Sequence, residues 1–194
     1  TPANSDEAAT PTQPNNDNPL IAAPAGPATA GNASSLSLLG QFDLDSAVRS
    51  LSWSPDGRHI AIGTNKSATL LEIASGRISN TFDTASLTQL KLAWSPNVND
   101  IAVGGADGAI SVYDPASGQL IQSLSAPAQI RDLVWLEDGQ YLGALDGDDN
   151  FQLWELPKFN LLKKWSLRLA GPVYDVDWSN AAVRLASSEG TGYV

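Results

Sequence analysis

From residue 36 onward the chain alternates apolar and polar positions in short runs, not in helical stripes. The stretch IAVGGADGAISVYDPASGQ, Ile101 to Gln119, packs an apolar run, a Gly-rich turn, an alternating run and a second turn into one short segment. A period of two, interrupted by Gly, Pro, Asp and Asn, is the signature of strands joined by tight turns. In SPDG, Ser54 to Gly57, the proline presets φ and the glycine takes the positive φ that closes the turn. No stretch sustains apolar residues at a 3.6-residue period, so the pattern predicts an all-β chain with few helices.

The runs recur. Trp53, Trp94, Trp135 and Trp178 stand in LSWSPDG, LAWSPNV, LVWLEDG and VDWSNAA, spaced 41, 41 and 43 residues apart. Seven residues after each Trp comes an aliphatic (Ile60, Ile101, Leu142, Leu185), followed by a small residue (Ala61, Ala102, Gly143, Ala186). A hydrophobic–aromatic–acid triplet follows as Val112–Asp114 and Leu153–Glu155, with a weaker version at Leu70–Glu72. The first three copies end in an apolar pair four apart: Ile78/Phe82, Leu120/Leu124, Leu161/Trp165. A unit therefore holds four strand-like runs in about 40 residues. One such sheet cannot bury both faces and must stack on copies of itself. Radial stacking is the β-propeller solution. The expected fold is a β-propeller of four-stranded antiparallel blades, with about three and a half blades present in residues 36–194.

The segments WSPDGRHIAIG, GGADGAISVYDPASGQ and DDNFQLWEL resemble blades of WD-repeat propellers, in the bacterial style that opens on Trp-Ser-Pro-Asp-Gly. The resemblance covers about residues 38–194. It departs from the family pattern in lacking the Gly-His pair, and only Trp154–Glu155 approaches the Trp-Asp pair. The family's turn Asp is matched by Asp107 and Asp148 but replaced by Asn65 in the first unit. Leu38 and Phe42 stand to Trp53 as Leu120 and Leu124 stand to Trp135, so the repeat is expected to begin with the outer strand of a blade completed elsewhere. The resemblance implies a ring of about seven blades. The chain is then the N-terminal part of a longer propeller, or a second chain supplies the missing blades. The resemblance also implies that the loops before the first strand and between the second and third strands share a partner-binding rim. Four residues before each Trp stand Arg49, Leu90, Arg131 and Tyr174; the turns bring Asn65, Lys66, Asp107, Asp148 and Asp149. Arg and Tyr suit binding hot spots. The alternative is that Arg49 and Arg131 only pair with acidic turns.

Composition sets the tail apart. Residues 1–35 hold six of the twelve prolines, no aromatic residue and no Lys or Arg, and are rich in Ala, Asn and Thr. Such a segment is expected to be a disordered tether. The formal net charge of −10 disfavours nucleic acid and anionic membrane surfaces as partners, and no apolar run is long enough for a membrane span. The chain contains neither Cys nor Met, which excludes disulfides and thiolate chemistry.

His59 is the one histidine, and its place in the other units is taken by Asp100, Tyr141 and Arg184. That variation reads as a surface position. Asp146, Asp148 and Asp149 do not complete a calcium loop, because the sixth and twelfth places from Asp146 hold Phe151 and Pro157. No phosphate loop or nucleophile elbow occurs. The expectation is a non-catalytic protein-interaction scaffold with no cofactor and no metal, and with protein partners. The alternatives are an extracytoplasmic sensor or lipoprotein ectodomain, which favours export over the cytoplasm, and a ligand-binding or enzymatic propeller using its central channel.

Overall fold

A computed structural model of the chain describes residues 42, 44, 46–84, 88–97, 100–136, 139–167, 171–179 and 184–190, without the side chains of Trp178 and Glu189. The expected tether at 1–35, Leu38 and the final residues 191–194 lie outside the described residues. All regular elements described are strands. Blade 1 comprises β1 (Val48–Trp53), β2 (His59–Thr64), β3 (Ala68–Glu72) and β4 (Arg77–Phe82). Blade 2 comprises β5 (Lys91–Trp94), β6 (Ile101–Gly104), β7 (Ala109–Tyr113) and β8 (Leu120–Ser125). Blade 3 comprises β9 (Ile130–Leu136), β10 (Tyr141–Asp146), β11 (Asn150–Glu155) and β12 (Asn160–Ser166). Two strands of blade 4 follow, β13 (Val173–Ser179) and β14 (Arg184–Glu189). Each blade is an antiparallel meander in chain order.

The repeated residues occupy equivalent places. Every blade pairs its Trp with the aliphatic seven residues on: Trp53 with Ile60, Trp94 with Ile101, Trp135 with Leu142, Trp178 with Leu185. The third residue of that rung is Leu71, Tyr113 or Trp154 in the three full blades. The small residue beside the aliphatic has a steric reason in blade 3. A Cβ on Gly143 would lie 2.4 Å from the Phe151 ring.

Period-two alternation then divides each blade between two neighbours. Leu92, Trp94, Ile101, Val103 and Tyr113 of blade 2 join Ala61, Leu70 and Phe82 of blade 1 in one buried cluster. Ala93, Ala102, Ile110 and Val112, from the opposite face, join Leu133, Trp135, Leu142 and Trp154 of blade 3 in the next. Leu145 and Phe151 pack with Val173 and Val176 in a third. β1, β5, β9 and β13 lie side by side around the axis. Polar ties cross the same seams. The Leu92 and Trp94 backbone N–H groups donate to Ser50 and Ser52 hydroxyls at 3.1 and 3.0 Å, and Trp135 Nε1 donates to the Ala93 carbonyl at 2.9 Å.

Among the described residues, the face of blade 1 turned away from blade 2 has no such neighbour. Leu51 is 61% exposed, whereas its equivalents Leu92, Leu133 and Val176 are 7%, 6% and 6% exposed. Trp53 is 58% exposed, whereas Trp94 and Trp135 are buried. Contiguous exposed apolar faces mark places where another surface binds.

Candidate functional site

The rim is built by a backbone irregularity. In blades 1, 3 and 4 the inner strand carries a bulge at Arg49, Arg131 and Tyr174, each skipped by the register with the second strand. A bulge re-aims the extra side chain out of the alternating pattern. In blade 2 the ladder of β5 with β6 ends at Lys91, and Leu90, at the arithmetically equivalent place, is fully buried. Its side chain packs in the core cluster between blades 1 and 2, not at the channel mouth expected from the spacing.

Beside the bulges of blades 1 and 3 stand the turns between second and third strands. Arg49 is exposed, and its Nε donates to Asn65 Oδ1 at 2.6 Å. The Asn65–Lys66–Ser67 turn wraps the buried Thr64, whose Oγ1 accepts the Lys66 and Ser67 N–H groups at 3.1 and 3.0 Å. Lys66 is exposed on top of it. In blade 2, Asp107 is exposed and accepts the Ala109 N–H at 3.0 Å. Gly108 follows with φ of +82°, and a Cβ there would lie 2.4 Å from the Ala126 carbonyl oxygen. Tyr174 is 63% exposed.

Blade 3 differs. Arg131 Nη1 donates to Asp149 Oδ1 at 2.7 Å and to the Val173 carbonyl at 2.8 Å. The same Asp149 oxygen accepts the Val173 N–H at 2.9 Å. Asp149 is buried and sits at φ of +62°, so Arg131 and Asp149 form a clamp from blade 3 onto the start of blade 4. Neighbouring Asp148 remains exposed. Asp146 is fully buried; its Oδ1 accepts the Asp148 and Asn150 N–H groups at 3.0 and 2.9 Å and so caps the turn. Among the described residues no group of three or more His, Cys, Asp or Glu side chains is placed to hold a metal ion.

One step further along the inner strands, Asp132 meets Asp175 of blade 4. Burial, then the hydrogen bond and like charge of Asp175, push the Asp132 carboxyl up to about 7. Its oxygen also accepts the Leu133 N–H at 2.9 Å. His59 is not the free surface group expected from its variable slot. It is half-buried, stacked 6.3 Å from the Trp94 ring. Its backbone N–H, not its ring, bonds Ser54 Oγ, so Ser54, His59 and Asp56 do not form a nucleophile–base relay.

The comparisons agree with this geometry. The family model described as the anaphase-promoting complex subunit 4 WD40 domain matches residues 36–91 and again 83–138, together more than half of the chain.

The chain belongs to the WD40 repeat family.

Among WD40 relatives, it is 33% identical over 91 residues to the WD repeat-containing protein AAC3 of Dictyostelium discoideum, covering 46% of this chain and 19% of that protein. It is 28% identical over 154 residues to Cell division cycle 20.1, cofactor of APC complex, of Arabidopsis thaliana, covering 75% of this chain and 33% of the relative. The WD repeat-containing protein slp1 of Schizosaccharomyces pombe is 27% identical over 125 residues, covering 61% and 26%. The matched segments thus span a third or less of each of these curated relatives.

Proposed function

We propose that the chain is the blade-bearing part of a non-catalytic interaction scaffold whose rim docks a protein partner. The observation that carries this reading is the recurrent bulge, which lifts Arg49 and Tyr174 off a rigid stack of sheets beside the exposed Lys66, Asp107 and Asp148. Asn65 fixes the Arg49 fork, and Arg131 with Asp149 holds the two rim segments of blades 3 and 4 in register. Aromatic and guanidinium groups displayed on a rigid support lose little entropy on binding. Two of the names above, a subunit and a cofactor of the anaphase-promoting complex, support a role within a multi-protein assembly. Among the described residues no helix is long and apolar enough to cross a membrane.

We further propose that the bare face of blade 1, with Leu51 and Trp53, is covered by an additional blade from the parent protein. The exposure of residues whose equivalents are buried supports this. A second copy supplying that cover would appear as a dimer in light scattering of the chain, with Trp53 protected.

The test of the rim is quantitative affinity purification with the full-length parent, comparing wild type with Arg49→Glu/Lys66→Glu and with Tyr174→Ala. Loss of specific partners at unchanged folded yield is expected. An identical partner set in both variants would overturn the rim.

A further inference from the structure

A recess lies away from the rim, in the seam between blades 1 and 2. It encloses about 280 Å³ between the β1–β2 turn (Ser54, Asp56, His59), Asn80 on β4, and Trp94 with the β7–β8 turn of blade 2 (Pro115). The corresponding seam between blades 2 and 3 is lined differently. There Leu156 and Phe159, from the turn equivalent to Pro115–Gly118, pack onto the interblade cluster. In blade 2 those two positions are Pro115 and Gly118, and Gly118 lies directly against the Asn80 amide, which donates to the Pro115 carbonyl at 3.1 Å. Large apolar side chains from this turn cap the seam in blade 3, whereas in blade 2 the same turn borders a recess.

The walls define the guest. One side is aromatic: the His59 imidazole stacked on Trp94 at an interplanar angle of 30°. No hydrogen bond to the His59 ring nitrogens is made among the described residues. The other side is a carboxylate. Asp56 Oδ1 accepts the Ser54 hydroxyl at 2.7 Å and the Arg58 N–H at 3.0 Å, and these bonds keep its carboxyl below the usual range, hence ionised. No Lys or Arg lines the recess. Arg58 lies at the mouth, with its Nε 3.9 Å from Asp56 Oδ2, but it is exposed and free to swing aside. The volume is below the range usual for small-molecule and cofactor pockets and suits one long side chain.

We infer that this seam is a second binding site, which accepts an arginine side chain from a protein partner, with its guanidinium on Asp56 and its stem along the His59–Trp94 wall. A planar cation satisfies a carboxylate and stacks on an aromatic face at once, which a lysine ammonium does less well. The overall charge of −10 favours approach of such a group. The inference deepens the interaction reading but uses none of the rim residues.

His59, as the chain's one histidine, gives an imidazole NMR signal that needs no assignment. The probe is N-acetyl-arginine methylamide, titrated to about 50 mM against its neutral isostere N-acetyl-citrulline methylamide, since a single-side-chain ligand binds in the millimolar range. Saturable shifts of the His59 signals are expected with the arginine probe, roughly tenfold stronger than with citrulline, as one charge-assisted hydrogen bond gives. Asp56→Asn should remove that difference. Gly118→Phe, which copies the blade 3 cap, should abolish the shifts, and Ala116→Leu provides a second way to narrow the recess if that variant folds poorly. Arg49→Glu should leave the titration unchanged. Equal shifts with arginine and citrulline, no saturation, or full binding by Asp56→Asn would each overturn the site. Failure here with rim variants still losing partners would leave the scaffold reading standing without the seam.

Discussion

Removing the guanidinium of Arg131 should loosen blade 4 from blade 3. In Arg131→Ala the buried Asp149 carboxylate keeps the neutral Val173 N–H but loses its cation, and the Val173 carbonyl loses its donor from blade 3. Breaking a fully buried ion pair costs about 3–5 kcal/mol. The Arg131 side chain is 30% exposed, so solvent screening reduces the expected loss to about 2–3 kcal/mol. At a urea m-value of about 2 kcal/mol/M, the unfolding midpoint should fall by about 1–1.5 M. The assay is urea unfolding followed by tryptophan emission, with Asp149→Asn and the double variant completing a cycle. A coupling energy above about 1 kcal/mol is expected for groups in direct contact. Hydrogen exchange should accelerate in β13 and β14 before β1–β4. Arg49→Ala, whose partner Asn65 is reached by an exposed bond, should change stability by no more than about 0.5 kcal/mol. If Arg131→Ala were as mild as Arg49→Ala, the clamp would not be what joins these blades.

Other expectations concern protonation and packing. Folded Asp132 titrates near 7, against an ordinary value of 3.8, so between those limits the folded state holds the proton more tightly than the unfolded one. Stability should therefore fall as pH rises from about 4 to about 7, by on the order of 2–4 kcal/mol, and Asp132→Asn should flatten that slope in urea titrations at stepped pH. Gly143→Ala drives a Cβ into the Phe151 ring and should cost about 1–3 kcal/mol, partly recovered by adding Phe151→Leu. Gly108→Ala should lower the thermal midpoint through both its positive φ and the Ala126 carbonyl, with a loss of about 2 kcal/mol or more.

The tryptophan spacing made the blades legible, because a 41-residue period fixes inner-strand Trp residues and their cross-strand aliphatics together. Counting back four residues reached three positions that the register skips, Arg49, Arg131 and Tyr174, and a fourth, Leu90, that is buried in the core. Burial at this position depends on how the chain enters the strand, which the spacing alone does not carry. Asp149 counted among the rim acids, yet a positive φ turns it inward beneath Arg131. The variable slot of His59 suggested surface, but it borders a seam where the side chain packs on the next blade's Trp. The two seams differ by Phe159 against Gly118, a contrast visible in the aligned units only once the turns are known to cover interblade clefts.

The radial stack itself is tested most directly by solvent access at equivalent tryptophans. With 5-fluorotryptophan incorporated and each signal assigned by a Trp→Phe variant, the ¹⁹F solvent isotope shift should be near maximal at Trp53 and near zero at Trp94 and Trp135. Comparable shifts at all three would contradict the claim that each blade shields the next one's indole.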